Sequence, residues 1–535
     1  MAVTRTFCLA AGLAVVLPGS LISQTRVRGV VVDSGTGAPL ESARIVGPRG
    51  ITYSDGFGRF VVAIDSFPSR IVIVRIGSRA TSVIVAQAPD TLLRIPLAAV
   101  PVRIADLVVE GTTDHDATDL GRWTVPLDRG TLLPMVQPDV LRALAASPAV
   151  TQSTIVSARP LVRGYDPGEA TLLLDGFELP NPYHLARAFS AIPAVGVERV
   201  TVATAPTAIT IGGTSGAAVE LTGRTGPTGS PTGGVAVDPV SLTGWLGGAP
   251  GGVRLFGAGR AVTLGALATL AGKRFAYGFN DGYASVIVDR GGAPWLRTTL
   301  FGSHDRVEDQ GGGDAMSWGV AMLGTRVDLW RRGGAGIALS GYATRFDERI
   351  DRLALRSSLV DVDNDYSRVG GALEWRASAG ARRLQVGFAP SWRRIRNRVS
   401  VLGGSLFPAA LDDGRPEYAG YGSWSERVGR VEVELGVRFD GSAGAGAWQP
   451  RARGDWDLGK GWSVGVAAGR SARLYQTVSD PNGEPELVFY DLWFVAGRGG
   501  IPVSRVDHAF LSTSWRHAGF SFRAGAYVSR GAGIV

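Results

Sequence analysis

The sequence predicts a mainly β protein: an N-terminal β-sandwich, a small α+β domain, and a C-terminal antiparallel transmembrane β-barrel. Three observations lead to this. Short β-branched runs separated by turn residues fill the first hundred positions. Residues 161–224 interleave brief apolar runs with Gly- and Pro-marked turns. From Gly233 onward, apolar and polar residues alternate over segments of about ten residues, which is typical of membrane barrel strands.

The composition limits the classes of partner and of membrane element. A chain of 535 residues is too long for one ordinary domain. Its formal net charge of +8 comes from dispersed arginines without a dense basic run, so we expect no nucleic acid partner. Arginines facing a lumen or anionic lipid headgroups explain the charge more simply. Positive mean hydropathy without an apolar run of membrane-helix length in the mature chain favours a barrel over membrane helices.

The first residues have the pattern of a secretory signal, assigned to residues 1–23. Arg5 supplies the positive start, residues 7–17 form the apolar centre, and cleavage is expected near Ser23. The single cysteine of the chain, Cys8, lies inside this segment. The mature protein would therefore contain neither disulfides nor cysteine metal sites.

Residues 26–98 are predicted to form a β-sandwich, with turn signals about every ten residues. The Asp55-Gly56 pair suggests either calcium binding or a tight hairpin turn, and the turn is favoured. The segment resembles the carboxypeptidase regulatory-like domain through Gly29-Val30-Val31-Val32-Asp33, Thr36-Gly37-Ala38-Pro39-Leu40 and the hairpin from Ser54 to Phe60. The resemblance implies no peptidase activity, because no paired His and Glu zinc ligands are present here.

A half-apolar run from Ile104 to Gly111 begins the predicted linker, residues 104–117. Two interpretations are open. The run is either a strand that adds to the edge of another protein's sheet or the last strand of the sandwich.

The following domain, residues 118–226, is marked by six short motifs in a fixed order: Pro138–Leu141, Ser147–Val150, Val162–Gly164, Leu174–Gly176, Asn181–Leu185 and Val197–Val200. Residues 139–146 are expected to form a helical turn or two between Pro138 and Pro148. Together the motifs resemble the plug domain of TonB-dependent outer-membrane receptors, in the branch that carries an N-terminal regulatory-like domain. Residues 203–210 depart from the pattern of that family.

The resemblance implies roles for two sets of residues. A TonB-type energy-coupling protein would contact Asp106, Leu107, Val108, Val109 and Glu110. The plug would be locked against the barrel wall by Arg163, Gly164, Asp175, Gly176, Glu198 and Arg199. Charges inside a lumen must be paired to offset their desolvation, whereas an exposed pair contributes well under about 1 kcal/mol. Asp175-Gly176 is also expected to form a turn between strands.

His184 is the histidine of the plug motifs, and two interpretations were weighed. It could be a metal or heme ligand, or a histidine that packs and forms hydrogen bonds. The other histidines show no ligand spacing with it, so the second interpretation is favoured. We accordingly predict no metal site and no cofactor.

Residues 233–535 are predicted to be the barrel. In Val431–Asp440, for example, Val, Val, Leu, Val and Phe share one face and charged residues the other. Tryptophans near segment ends, such as Trp318, Trp330 and Trp424, are expected in interface girdles. The length accommodates about fifteen strands, whereas large plugged transporters have about 22. The barrel is therefore expected to be incomplete through truncation, completed by another chain, or unusually small, with truncation favoured.

The predicted function is an outer-membrane receptor for TonB-energised uptake of a scarce extracellular substrate, such as siderophore-bound iron, a glycan or a peptide. Its N-terminal domain would lie in the periplasm. The expected partners are a TonB-type protein, outer-membrane lipid, and a small-molecule or oligomeric substrate. No catalytic residue is expected, because motifs such as a Gly-x-Ser-x-Gly elbow are missing. The alternatives are a passive or signalling outer-membrane β-protein, a non-functional receptor fragment and, less favoured, a secreted β-domain enzyme.

Overall fold

A computed structural model gives the structure of most of the chain. It describes residues 25–75, 78–98, 121–127, 138–152, 157–163, 165, 170–184, 187–204, 208–263, 276–290, 293–308, 314–355, 358–402, 409–478, 492–498, 500–517 and 520–534. The chain divides into two compact units, Met1–Val108 and Val109–Val535, which we describe separately.

The described part of the first unit contains seven strands: β1 (Thr25–Asp33), β2 (Arg44–Gly47), β3 (Gly50–Tyr53), β4 (Arg59–Ile64), β5 (Ser69–Val74), β6 (Thr81–Val85) and β7 (Leu93–Leu97). They form two sheets, β4-β1-β7 and β3-β2-β5-β6. Val31 of the first sheet and Ile45 and Ile73 of the second belong to one buried core. Two sheets around one core are a β-sandwich, as predicted; membership in the regulatory-like family stays a prediction.

The turn at Asp55 has a local explanation in this sandwich. The Asp55 carboxylate accepts hydrogen bonds from the backbone N–H groups of Phe57 and Arg59, at 2.9 and 2.8 Å. Gly58 has a φ of +72°, a conformation that favours glycine. The carboxylate therefore organises a hairpin turn.

The second unit begins with the domain predicted to be a plug, which we call the plug. Its strands are β8 (Arg122–Pro126), β9 (Val150–Gln152), β10 (Pro160–Val162), β11 (Ala170–Leu174), β12 (Phe177–Glu178), β13 (Tyr183–His184), β14 (Phe189–Ser190), β15 (Val197–Thr204) and β16 (Ala217–Gly223). Five of them make a mixed sheet in the order β12-β11-β16-β15-β8. The predicted helix over 139–146 is a shorter 3-10 helix, Arg142–Ala146; a second spans Ala194–Gly196. Before the first, Asp139 accepts hydrogen bonds from the N–H groups of Leu141 and Arg142.

The remaining chain forms one large antiparallel sheet of fifteen strands, in agreement with the expected number. The strands are β17 (Thr232–Val237), β18 (Ser241–Gly248), β19 (Val253–Val262), β20 (Tyr277–Arg290), β21 (Ala293–Glu308), β22 (Asp314–Arg332), β23 (Ala335–Leu355), β24 (Ser358–Ala379), β25 (Arg382–Leu402), β26 (Ala409–Val428), β27 (Val431–Ser442), β28 (Ala445–Gly459), β29 (Trp462–Arg473), β32 (Ser504–His517) and β33 (Phe520–Ala532). Each pairs with its neighbours in chain order, and β17 and β33 are the edges within the described residues.

Two small elements interrupt this order. A 3-10 turn, Pro250–Gly252, joins β18 to β19. Between β29 and β32 the chain forms a separate hairpin of β30 (Tyr475–Val478) and β31 (Leu492–Val495).

The connections between barrel strands differ at the two ends. At one end every connection has two to four residues, as between β22 and β23. The other end carries the longer connections, including residues 263–276 and 474–503. In outer-membrane barrels the short turns are periplasmic and the long loops extracellular, and the connections of this sheet follow the same division of lengths.

The predicted alternation of the barrel strands is confirmed. In β27, Leu435 and Val437 are 48% and 44% exposed, whereas Arg438 and Asp440 are buried. Apolar side chains therefore point outward, where lipid would solvate them, and charged side chains point inward to polar partners. Among the described residues, no helix has the length and apolarity needed to cross a membrane.

Candidate functional site

The plug shares one continuous core with the inward face of the barrel sheet. Plug residues such as Val200 and Leu221 belong to the same buried cluster as Tyr283, Phe346 and Tyr366 of the barrel strands. The candidate functional site is this boundary between plug and wall, because any solute crossing the lumen must pass it. The polar contacts of the boundary are the parts that can hold or release the plug.

His184 forms the most buried polar contact between plug and wall. Its Nε2 lies 2.7 Å from Oδ2 of Asp281 on β20, and its Nδ1 lies 2.8 Å from Oδ2 of Asp305 on β21. All three side chains are fully buried. Ionised carboxylates only accept hydrogen bonds, so an imidazole with both nitrogens facing them donates from both nitrogens and is a cation. The histidine is hydrogen-bonded as predicted.

The electrostatics of His184 agree with this geometry. Burial alone would lower the pKa of the His184 imidazole, but Asp305 and Asp281 more than offset that effect and raise its pKa above the usual value. Arg260 neutralises the second negative charge through Asp281, at 2.6 Å. Tyr277 donates a hydrogen bond to Asp305 at 2.5 Å. The cluster thus contains two positive and two negative groups.

Two wall side chains also donate hydrogen bonds to backbone carbonyls in the same part of the plug. Arg260 donates a hydrogen bond to the carbonyl of Ser190 at 2.8 Å, and Trp318 donates its indole N–H to the carbonyl of Tyr183 at 3.0 Å. Trp318 is 8% exposed and faces the plug. Its expected place in an interface girdle is therefore wrong, because its N–H satisfies a buried carbonyl instead of a lipid headgroup.

Asp175 and Gly176 form the expected turn between β11 and β12, with φ values of +53° and +89°. The Asp175 carboxylate accepts hydrogen bonds from Arg297, from Thr299 at 2.7 Å and from Tyr283 at 3.2 Å, all on the barrel wall. It also accepts one from the backbone N–H of Gly223 at 2.9 Å. The side chain thus joins the β11–β12 turn and β16 of the plug to β20 and β21 of the wall; its locking role stays a prediction.

Glu178, on the edge strand β12, contacts the opposite part of the wall. It lies 2.5 Å from Arg368 on β24 and accepts hydrogen bonds at 2.8 Å from the hydroxyl groups of Tyr366 and Tyr475. Burial raises the pKa of the Glu178 carboxyl, but Arg368 and Arg393 outweigh burial and lower it to about 2. Glu178 is therefore ionised at any physiological pH.

The end of the divergent stretch, residues 208–210, and the following Ile211 also contact this part of the wall. Arg438 on β27 donates hydrogen bonds to the carbonyls of Ile209 and Thr210, at 3.3 and 3.2 Å. Arg451 on β28 donates to the carbonyls of Ala208 and Ile211. Because these contacts use backbone carbonyls, the wall can hold this segment whatever its side chains are.

Arg163 contacts the wall through aromatic rings. Its guanidinium lies 4.1 Å from the ring centre of Tyr527 and 4.8 Å from that of Phe510, with Trp123 at 5.8 Å. Burial lowers the pKa of Arg163 to about 10, so it remains charged at neutral pH. The contact with Tyr527 and Phe510 is a cation–π arrangement, and the locking role of Arg163 stays a prediction. Gly164 lies outside the described residues.

Glu198 and Arg199 lie apart from the wall contacts. Their side chains are 51% and 46% exposed, and they form an ion pair with each other at 3.2 Å. The strand pairing of β15 has a register shift between Val197 and Arg199, where both side chains reach solvent. The locking role of the pair stays a prediction. The candidate TonB contacts Asp106, Leu107, Val108, Val109 and Glu110 lie outside the described residues.

Sequence reasoning missed most of the wall partners: Asp281, Asp305, Arg260, Arg297, Arg368, Arg438 and Arg451. They lie at inward-facing positions of strands in which apolar and polar residues alternate. That alternation is the sequence signal that could have identified them. Glu178 was also missed, although it follows the Asp175-Gly176 turn directly. In the part of the chain that the structure describes, no group of three His, Cys, Asp or Glu side chains could hold a metal ion.

Residues 136–219 match the family model described as the TonB-dependent receptor plug domain. This range contains β9 to β15 and the contacts of His184, Asp175 and Glu178. The match lies within the segment predicted to be a plug, residues 118–226, and the bounds of that segment stay a prediction. No curated protein matches the chain.

Solved structures resemble both the plug and the barrel. The ferric yersiniabactin uptake receptor FyuA from Yersinia pestis is 12% identical, with a TM-score of 0.57, over 77% of this chain and 72% of that one. A variant of the ferric enterobactin receptor PfeA from Pseudomonas aeruginosa is 13% identical, with a TM-score of 0.52, over 77% and 71%. The copper transporter OprC is 14% identical, with a TM-score of 0.54, over 76% and 72%. At these identities the likeness concerns the fold.

Proposed function

The chain has the plug and the barrel of a TonB-dependent receptor, and from that premise we propose that it imports a scarce extracellular substrate with energy supplied through a TonB-type protein. Receptors with this plug and barrel are outer-membrane proteins, and we assign the chain to the outer membrane on that ground. The fold is that of a transporter family and not of an enzyme family.

The observation that carries the proposal is the buried polar attachment of the plug. The His184 side chain contacts two wall carboxylates, and all three side chains are fully buried. Breaking one partner out of a buried ion pair costs about 3–5 kcal/mol. Asp175 and Glu178 add further wall contacts. A plug held this way needs work from outside to move, which favours energised import over passive diffusion.

The substrate class is proposed from the similar structures and from the cavity chemistry. The similar proteins are named for ferric enterobactin, ferric yersiniabactin and copper. The plug–wall boundary presents arginine, glutamate and tyrosine side chains, which suit polar solutes. Siderophore-bound iron is the first substrate to test, followed by glycans and peptides.

The test compares two deletions of eight residues each in the full chain, expressed in a Gram-negative host that lacks its own receptors for the probes. One variant lacks Ile104–Gly111, and its matched control lacks Thr112–Asp119. Uptake of radioactive iron is measured with ferric enterobactin and ferric yersiniabactin, and copper uptake is measured in parallel. We expect the first deletion to abolish uptake and the control to retain it.

The host also provides a second control. Removal of its TonB protein is expected to abolish uptake by the unchanged chain. Uptake that continues without Ile104–Gly111 and without TonB would contradict energised import and support a passive receptor. Surface labelling of both deletion variants checks that each reaches the outer membrane.

A further inference from the structure

The N-terminal sandwich has one sheet edge without the features that usually protect an edge. Within the described residues, β6 (Thr81–Val85) ends the sheet β3-β2-β5-β6. Native edge strands are usually protected by charged side chains, by proline or by a covering segment. β6 contains neither a charged residue nor a proline. The backbone groups on its open side are therefore a template for another extended segment.

The side chains at this edge differ between the two faces of the sheet. Val83 and Val85 of β6 pack against the core of the sandwich. Ile84 points to the outer face and is 69% exposed. On that face Arg70 of β5 reaches across to β6, where its guanidinium donates a hydrogen bond to the Ser82 hydroxyl at 3.1 Å. A matching segment needs apolar residues on its inner face, and an apolar residue beside a carboxylate on its outer face.

The same chain contains such a segment at Ile104–Gly111, which lies outside the described residues. Successive side chains of an extended segment point to opposite faces, so Leu107 and Val109 share one face. Paired with β6, that face continues the apolar core beyond Val83 and Val85. The inner face of the segment therefore fits the edge.

The other face of the segment carries Asp106, Val108 and Glu110. The two acids flank Val108 symmetrically, so the match is the same for a parallel and an antiparallel pairing. With Val108 opposite Ile84, one of the acids lies on the side of Arg70. The outer face of the segment thus supplies both the apolar and the acidic neighbour that the edge requires.

The chain leaves the sandwich close to this edge. The carbonyl of Ala98 accepts a hydrogen bond from the backbone N–H of Arg79 at 2.8 Å, shortly before β6 begins. Residues 99–103 separate Ala98 from the segment, and when extended they span up to about 17 Å. Paired strands lie only about 4.8 Å apart, so the segment can reach the open side of β6.

The net charges of the sandwich and of the segment are opposite. Residues 25–98 contain nine arginines and five acidic residues, which gives a net charge of +4. Residues 104–119 contain five acidic residues and neither lysine nor arginine, which gives −5 with the histidine neutral. The short connection between them also gives the segment an effective concentration on the order of millimolar at the edge. Attraction and tethering therefore both favour a contact within the chain.

We propose that the open edge of β6 is a docking site for Ile104–Gly111 of the same chain, and that docking withholds this segment from the TonB-type protein. The proposal rests on the proposed function, which assigns Asp106 to Glu110 to the contact with that protein. The apolar face of one short strand can be buried against only one protein at a time, so the two contacts compete. The sandwich thereby sets the fraction of chains available for energy coupling.

Docking is tested by disulfide trapping of the full chain in isolated outer membranes, with Cys8→Ser as background and alkylation of free thiols as the readout. Opposite residues of paired strands have Cβ atoms about 5 Å apart, which a disulfide can bridge. Ile84→Cys with Val108→Cys is expected to form the disulfide in most molecules. Ile84→Cys with Leu107→Cys should form it several-fold less often, because Leu107 lies on the other face. Phe57→Cys with Val108→Cys is the matched control and should form few disulfides, since Phe57 is equally exposed but follows β3, the opposite edge of the sheet.

The charge contact is tested in the variant with Ile84→Cys and Val108→Cys. Arg70→Glu is expected to lower the trapped fraction, because it places a carboxylate beside the acids of the segment. Asp106→Arg with Glu110→Arg, added to Arg70→Glu, is expected to restore it. The matched control is Arg44→Glu on β2, which reverses another exposed arginine of this sheet and should leave the trapped fraction unchanged.

A second pair keeps the test decisive if Ile84→Cys does not fold, as judged by protease resistance of the sandwich. Ser82→Cys then replaces it and is combined with Asp106→Cys and, separately, with Glu110→Cys. One of these two acids lies opposite Ser82 in either strand direction, so one combination should be trapped in most molecules. Failure of both would overturn the docking site.

The competition is tested by iron uptake in the host used for the deletion variants. For Ile84→Cys with Val108→Cys, oxidation is expected to abolish the uptake of ferric enterobactin and ferric yersiniabactin, and reduction is expected to restore it. Uptake by Phe57→Cys with Val108→Cys should not respond to the oxidant. Uptake that continues with the disulfide closed would overturn the competition.

Equal trapping of Ile84 and Phe57, or of Val108 and Leu107, would overturn the docking site. Trapping requires neither a TonB protein nor a substrate, so it can fail while import that depends on Ile104–Gly111 succeeds. In that case the segment serves energy coupling without regulation by the sandwich. Failure of the deletion test with successful trapping would instead keep the docking site and remove the competition.

Discussion

The imidazole Nε2 of His184 lies 2.7 Å from the carboxylate of Asp281, across the boundary between plug and barrel wall. The two residues are 97 positions apart in the chain, and both side chains are fully buried. Their contact places a positive charge of the plug among wall carboxylates that water does not reach. Four consequences of the wall contacts, together with one for an exposed pair, can be measured.

Replacement of His184 is expected to destabilise the folded protein. His184→Gln leaves the carboxylates of Asp281 and Asp305 with one cation fewer, which should lower the free energy of unfolding by about 3–5 kcal/mol. Urea unfolding in lipid vesicles measures this value. The control His304→Gln changes an exposed histidine and should alter it by less than about 0.5 kcal/mol.

The contribution of His184 should also depend on pH. The pKa of His184 is raised in the folded state by Asp305 and Asp281 against the effect of burial. Its stabilisation is therefore fully present below the unfolded pKa, about 6.5, and is lost as the pH rises through the folded pKa. The difference in unfolding free energy between the unchanged chain and His184→Gln should shrink at alkaline pH. A difference that grows with pH would exclude a charged His184.

Asp175 should be required for a well-seated plug. Asp175→Ala removes the acceptor for Arg297, Thr299 and Tyr283 and places alanine at a φ of +53°. We expect a loss of about 3 kcal/mol in unfolding free energy and faster proteolysis of the plug in the full chain. Asp175→Asn keeps an acceptor oxygen and tolerates this backbone conformation, so it should lose less. Equal losses for both variants would assign the effect to charge alone.

The Arg163 contact should behave as a cation–π interaction. In a double-mutant cycle, Arg163→Ala and Tyr527→Leu should show a coupling energy of about 1–2 kcal/mol, because the guanidinium lies 4.1 Å from the ring centre. Arg163→Lys keeps the charge and should retain part of the coupling. A coupling near zero would mean that Arg163 contributes through packing alone.

The Glu198–Arg199 pair should contribute little to stability. Both side chains are about half exposed and bond to each other. Glu198→Ala with Arg199→Ala should change the unfolding free energy by less than about 1 kcal/mol and leave plug proteolysis unaltered. A large loss would instead support the predicted locking role of these residues and would require a contact with the wall.

The sequence predicted the elements better than their contacts. The alternation along Val431–Asp440 identified a strand with one apolar face. It could do so because apolar residues there face outward and charged residues face inward. The motifs around Asp175-Gly176 and Asn181–Leu185 identified the plug, because turns depend on local residue types. Trp318 shows where this reasoning ended. The alternation predicted that Trp318 lies on a strand. Its inward direction is seen only in the structure, where its indole N–H donates a hydrogen bond to the carbonyl of Tyr183.

The sequence by itself determined the β architecture, the plug segment and the approximate number of barrel strands. Only the tertiary structure decided which charges meet, such as His184 with Asp281 and Glu178 with Arg368, 97 and 190 positions apart. The physical reason is range: strand and turn preferences act between near neighbours, whereas burial and ion pairing arise when distant strands pack against the plug.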